Sequence, residues 1–327
     1  MDMAEPQLKG VSAAERELAV QAPAPRHAEL MKAVLERQSF SDPEWIYERK
    51  LDGIRCLAVR EHDEVRMLSR NDLDLGGRYP EIRDAVAAQE HRRFAIDGEI
   101  VAFDGQQTSF AKLAARGHEP VPVFFYIFDL LWADGHDIRA LGLRTRKRLL
   151  RAALEFRDPL RWTSHRNREG EAMFTEACRR GWEGVVAKRA DSSYRATRAR
   201  DWLKLKCEAS QELVIGGFTA PQGSRTDFGA LLLGYFRDGE LQYAGKVGTG
   251  FDQETLDSMG RQLRALRRDT PAFAHPSAIK ERGVTWVTPE LVAQIGFTEW
   301  TSAGRLRHPR FLGLREDKAA GEVVRER

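Results

Sequence analysis

The chain has 327 residues, 31% of them charged, yet its formal net charge is only +3, so mean charge does not mark a nucleic-acid binder and clustering must be read instead. That length allows two domains with separate cores. No segment approaches the roughly 20 apolar residues of a membrane span, and Met1 to Arg26 has no apolar run suited to a signal peptide, which points to a cytoplasmic protein.

Residues 1–26, with Pro6, Pro23 and Pro25, read as a flexible N-terminal arm, followed by a short helix from about His27 to Arg37. Strands begin at Trp45. Trp45-Ile46-Tyr47, Cys56 to Arg60 and Val65 to Ser69 suggest a small antiparallel sheet. Phe94 to Phe103 and Val123 to Trp132 are longer, and the second is apolar on both faces, as in the middle of a covered sheet. A helix is expected over Leu143 to Phe156, with Leu149, Leu150, Ala153 and Leu154 on one face and Arg144, Arg146, Lys147, Arg148 and Arg151 on the other.

A boundary is expected near Lys206 to Gln211, dividing a domain of residues 27–207 from one of residues 208–327. Beyond it come short strands, Leu213 to Phe218, Leu231 to Phe236 and Leu241 to Val247, with Asp238-Gly239 as a hairpin turn between the last two. One helix, Gln253 to Arg268 capped by Asp252, is followed by strands at Val284 to Val287 and Val292 to Trp300. That pattern suggests a small barrel of the OB type. Cys56, Cys178 and Cys207, widely spaced and odd in number, fit neither a disulfide framework nor a zinc site and read as three reduced thiols.

The segment Glu48-Arg49-Lys50-Leu51-Asp52-Gly53-Ile54-Arg55 sets a lysine beside an acid, a glycine and an arginine at the end of an apolar strand. Such a lysine serves as a nucleophile only when its pKa, about 10.4 when free, is brought down by burial or neighbouring cations. Alone, such a segment is more often a strand running into a turn, with its Lys and Asp merely solvated. Four more segments concentrate charge at strand ends: Ser69-Arg70-Asn71, Asp97-Gly98-Glu99, Gly181 to Lys188 around Glu183, and Trp202 to Lys206, where alternation puts Lys204 and Lys206 on one face. Together they supply cations for phosphate, carboxylates for a divalent metal or ribose hydroxyls, and aromatics for a base.

In these segments, with Phe128-Asp129-Leu130-Leu131 and Arg315-Glu316-Asp317-Lys318, the chain resembles the ATP-dependent DNA ligases of the covalent nucleotidyltransferase superfamily. Gln211 to Phe218 and Pro309 to Arg315 are most similar to the bacterial end-joining ligases. The resemblance implies an α+β fold: an ATP-grasp-like nucleotidyltransferase (adenylation) domain of antiparallel sheets with helices, then a C-terminal OB-fold β-barrel. It implies that Lys50 attacks the α-phosphorus of ATP, and that AMP passes to a 5′-phosphate before the 3′-hydroxyl of nicked or broken duplex DNA displaces it. Lys204 and Lys206 would contact the α-phosphate and lower the Lys50 pKa. Glu99 and Arg70 would grip the ribose, Arg55 would support ribose and phosphate, Phe128 would stack on adenine, and Glu48 would sit near the adenine edge.

By the same resemblance Glu183 would bind Mg²⁺ or Mn²⁺, with Asp52 serving either the metal shell or the lysine. Arg315, Asp317 and Lys318 would handle pyrophosphate once the second domain closes. Arg195, Arg198 and Arg200 lie in a stretch whose one acid is Asp201 and read as a DNA phosphate track, or as a solvated loop. A monomer associated with the nucleoid, and an end-binding protein as partner, are expectations at the level of the family. The alternatives are an RNA ligase, a GTP-using capping enzyme, or a non-catalytic OB-containing DNA-binding protein.

Overall fold

A computed structural model describes residues 11–116, 121–207, 209–221 and 227–326. The chain divides into two compact units, Met1–Cys207 and Glu208–Arg327. Among the described residues no helix is long and apolar enough to cross a membrane.

In the first unit, the described residues form two large sheets. The larger has the spatial order Val20–Gln21, His136–Asp137, Val123–Ala133, Arg93–Asp104, Ile54–Glu61, Glu64–Ser69, with Leu160–Trp162 added parallel to Val123–Ala133 and Gln107–Thr108 beside Arg93–Asp104. Its two central strands are buried along most of their length, as the apolar run at Val123 to Trp132 requires. On one side lie Ile82 and Val86 of the helix Pro80–Ala87 and Leu149 and Leu150 of the helix Leu143–Ala153. On the other, Leu57, Val59, Ala95 and Phe128 pack with Trp202 of the second sheet. That sheet runs His165–Asn167, Trp45–Lys50, Gly184–Arg189, Arg198–Lys206, Lys32–Leu35.

Several expectations are corrected here. Residues 11–26 are not a loose arm: Ser12 and Glu15 form a capping box that opens the helix Ala13–Leu18, and Val20–Gln21 pairs with His136–Asp137. Residues 1–10 lie outside those described. No helix spans His27 to Arg37; Lys32–Leu35 is a strand parallel to Arg198–Lys206, and Met31 N donates to the Tyr194 hydroxyl at 2.9 Å. Tertiary pairing overrides the local helix propensity there. The helix Leu143–Ala153 does not present all its basic residues to water, since Arg146 and Lys147 are buried. Cys178 and Cys207 form a disulfide with Cα atoms 5.2 Å apart, while Cys56 is free and buried. The helix Gly170–Arg179 brings Cys178 to the residue that follows Lys206, a meeting that cysteine counting cannot foresee.

In the second unit, the strands Glu240–Val247, Leu231–Arg237, Ala209–Thr219, Val284–Val287 and Arg267–Arg268 follow one another, and Val292–Phe297 joins Ala209–Thr219 to Arg310–Leu314. The barrel carries one α-helix among its described residues, Gln253–Ala265, capped by Asp252, which accepts from Thr255 N at 2.8 Å. Leu256, Met259 and Leu263 face its core.

Gly98 is not a turn residue. It lies within the strand Arg93–Asp104 beside a register shift, and a Cβ there would meet the Phe125 ring at 2.5 Å and the Tyr126 carbonyl at 2.6 Å. Gly98→Ala is therefore expected to cost about 1–3 kcal/mol of stability through overpacking; an unchanged denaturant midpoint would contradict this close approach.

Candidate active site

Strand register decides which side chains meet. In the five-stranded sheet Lys50, Gly184 and Lys206 are level, then Glu48, Val186 and Lys204, then Ile46, Lys188 and Trp202. Alternation puts these residues on one face. Tyr47, Val185, Ala187, Leu203 and Leu205 cluster with Met173 and Ala177 on the other. In the eight-stranded sheet Arg55 is opposite Glu99, and Leu57 opposite Asp97. The cleft between the sheets therefore brings together Lys50, Glu48, Lys204 and Lys206 with Arg55, Glu99 and Phe128.

Lys50 Nζ donates to Glu183 Oε2 at 2.5 Å, and Lys206 Nζ stands 4.0 Å from Glu183 Oε1. Gly184 has φ +151°, and any Cβ would collide with the Leu205 carbonyl, so a glycine must follow Glu183. Burial opposes the Lys50 charge, but the Glu183 carboxylate, assisted by Asp52 and Glu99, outweighs it and holds the amine above its ordinary range. This corrects the expectation that Lys204 and Lys206 leave Lys50 with a lowered pKa. Their charge acts on Glu183: burial would raise that carboxyl, but Lys50, Lys206 and Lys204 together hold it below the usual carboxylate range.

Arg55 forks onto Asp97, with Nε to Oδ1 at 2.5 Å and Nη2 to Oδ2 at 2.6 Å, and the Tyr194 hydroxyl donates to Oδ2 at 2.7 Å. Its guanidinium lies 4.6 Å from the Phe128 ring centre, and Lys188 Nζ lies 4.0 Å from the same centre. Phe128 is only 7% exposed, so its ring already carries two cations. Nε and Nη2 of Arg70 are buried with no hydrogen-bond partner among the described residues, a cost of about 1–3 kcal/mol per group unless a ligand satisfies it.

Glu48 is buried between two ammonium groups, Lys147 Nζ and Lys188 Nζ, each at 2.6 Å. Burial would raise its carboxyl, yet Lys147 and Lys188 keep it below the usual range. Lys188 itself is pulled down to about 8, by burial and by Lys147, against the opposing pull of Glu48. Neither lysine was given a role by the sequence, although Lys188 ends the segment Gly181 to Lys188. Lys188 was within reach of the sequence, since alternation from Val186 puts it on the Lys204 face; Lys147 carried no such signal.

Among the described residues no group of three or more His, Cys, Asp or Glu is gathered as a metal cage. Asp52, Glu99 and Glu183 nevertheless all act on Lys50, and such hard oxygen donors suit Mg²⁺ or Mn²⁺, ions that are often held by one or two carboxylates together with substrate phosphates. Arg195 pairs with Asp201, Arg200 with Glu36 at 2.9 Å, and Arg198 is exposed. In the second unit Arg315 forks onto Asp317, both bonds 2.9 Å, and Lys318 reaches Glu212 at 3.0 Å.

A part-buried lysine on a carboxylate, with further lysines on the same sheet face and an OB-type barrel following in the chain, is the arrangement of a nucleotidyltransferase. Residues 25–206 match the family described as ATP dependent DNA ligase domain, and residues 224–318 match the ATP dependent DNA ligase C terminal region. The chain belongs to the ATP-dependent DNA ligase family. It is 39% identical over 298 residues to the multifunctional non-homologous end joining protein LigD of Pseudomonas aeruginosa, a match covering 87% of this chain and 35% of that protein. The LigD of Mycobacterium tuberculosis is 37% identical over 287 residues, covering 86% and 38%. The chain thus spans about a third of the length of these curated relatives. The solved structure of mycobacterial DNA ligase D complexed with ATP and MES superposes with a TM-score of 0.67 at 35% identity, over 91% of this chain and 98% of that one.

Because Glu183 holds the Lys50 proton, Glu183→Gln is expected to lower the Lys50 pKa. In metal-free buffer the pH profile for acylation of Lys50, followed by peptide mass spectrometry, then shifts toward lower pH; a shift upward, or none, contradicts the assignment.

Proposed function

We propose that this chain seals breaks in duplex DNA with ATP, in three balanced phosphoryl transfers. Deprotonated Lys50 Nζ attacks the α-phosphorus, so that an N–P bond forms, the bond to pyrophosphate breaks and pyrophosphate leaves. A 5′-phosphate oxygen of the DNA then takes the AMP, and Lys50 regains its proton. The 3′-hydroxyl finally attacks that 5′-phosphate and expels AMP. The observation that carries the reading is the placement of Lys50 on Glu183, with Lys206 and Lys204 on the same sheet face.

Lys204 and Lys206 take the α-phosphate, Glu99 and Arg70 the ribose, and Arg55 both ribose and phosphate. The buried nitrogens of Arg70, which have no partner among the described residues, support a ligand there. Phe128 and Glu48 take the adenine. A solved relative was captured with ATP, which supports that nucleotide here. Glu183 and Asp52 would hold Mg²⁺ or Mn²⁺, whose charge offsets both the phosphates and the pull of Glu183 on the Lys50 proton. Arg195, Arg198 and Arg200 bind DNA phosphates without sequence choice. Arg315, Asp317 and Lys318 orient pyrophosphate when the second unit closes over the nucleotide. The similarity to LigD proteins supports a role in bacterial end joining beside an end-binding protein.

Incubation with labelled ATP is expected to leave an adenylate on Lys50, stable to base and labile to acid, and Lys50→Ala to abolish both this and nick sealing. Labelling by GTP and not ATP, or sealing of nicked RNA alone, would overturn the reading. Arg315→Ala should slow lysine adenylation at least about tenfold more than sealing of pre-adenylated DNA; equal losses would remove Arg315 from the pyrophosphate step.

A further inference from the structure

We propose that Lys147 is a positioning residue for the base end of the nucleotide pocket, acting through Glu48; the inference rests on the function proposed above. Lys147 comes from the helix Leu143–Ala153, and its side chain is 3% exposed. Nζ donates to Glu48 Oε1 at 2.6 Å, to the Thr163 carbonyl at 3.2 Å and to the Phe128 carbonyl at 3.4 Å. A lysine ammonium has three hydrogens, so each has an acceptor. The Trp162 ring, its centre 4.4 Å from Nζ, flanks the same ammonium.

These acceptors come from separate pieces of the fold. Glu48 belongs to the five-stranded sheet and Phe128 to the eight-stranded one, so Lys147 is tied to both sides of the cleft. The two residues assigned to the adenine are thereby linked through one buried cation. Lys147 also fixes how Glu48 is presented. With Lys188 on the second carboxylate oxygen, at 2.6 Å, Glu48 is held from both sides and has one orientation. Removing Lys147 leaves a buried carboxylate with one ammonium, free to rotate toward it. The reacting groups around Lys50 are anchored separately on Glu183. Loss of Lys147 is therefore felt in nucleotide binding and base choice more than in bond making.

The test is Lys50 adenylation over a range of ATP and GTP concentrations, in the full chain. Lys147→Met is expected to raise KM for ATP about tenfold, to change kcat less than about threefold, and to narrow the preference for ATP over GTP. In a Glu48→Gln background the same substitution should add less than about twofold, because the group it acts through is already altered. A fall in kcat at unchanged KM, an unchanged KM, or a full-sized effect in the Glu48→Gln background overturns the proposal. Should circular dichroism show Lys147→Met unfolded, Lys147→Arg carries the same test, with a KM rise of about threefold that again disappears beside Glu48→Gln. A wild-type chain that forms no lysine adenylate would instead overturn the proposed function.

Discussion

Lysines on one face of a small sheet can leave water only if carboxylates are brought to them, and the first unit is arranged around that demand. Lys50, Lys188, Lys204 and Lys206 share the cleft face of the five-stranded sheet. An ion buried without a partner costs several kcal/mol even after the protein relaxes. Glu183 answers Lys50 and Lys206, and Glu48 answers Lys188 together with Lys147. The facing sheet solves the same problem with forks, Asp97 on Arg55 and Asp129 on Arg146, at 0% exposure for Asp97 and for both members of the second pair. Each fork takes two hydrogen bonds from one guanidinium, which fixes direction as well as charge.

The same pairing sets the chemistry at rest. A carboxylate 2.5 Å from the amine stabilises the ammonium, and the ammonium is not a nucleophile. The pairing that lets Lys50 sit part-buried therefore also favours its charged form. For the nucleophilic role proposed for Lys50, the charge around Glu183 would have to change, because desolvation already acts on the amine and Glu183 outweighs it. Lys204 and Lys206 contribute to that balance through Glu183, whose charge they stabilise.

What could be read from the sequence follows the range over which each signal acts. That Lys204 and Lys206 share a face was legible because alternation along a strand is local, whereas their meeting with Lys50 depends on the strand Gly184–Arg189 pairing with both of its neighbours. Helical periodicity failed at Arg146 and Lys147, since it treats every cation as solvent-facing. Asp129 within an apolar strand and Glu48 after Tyr47 were the available hints, because a carboxylate in a buried run demands a cation. They do not say which one. The strand at Lys32–Leu35 and the disulfide between Cys178 and Cys207, 29 residues apart, depend on partners brought together only by folding.

Phe128 shows why the two cations over its ring are not equivalent. Arg55 and Lys188 both lie against the ring, at 4.6 Å and 4.0 Å from its centre. A base that stacks there must take the place of one of them or share the ring with both. Arg55 is locked by two hydrogen bonds to Asp97, which Tyr194 braces in turn, and that carboxylate holds its guanidinium above even its ordinary range. Lys188 has one carboxylate partner, Glu48 at 2.6 Å, and burial and Lys147 bring it down to about 8 against that partner's pull, so its charge is held less firmly than that of Arg55. A neutral amine forfeits most of its attraction to an aromatic face. Of the two cations over the ring, Lys188 is thus the less firmly charged, and Lys147 helps to make it so, because its charge is part of what pulls Lys188 down.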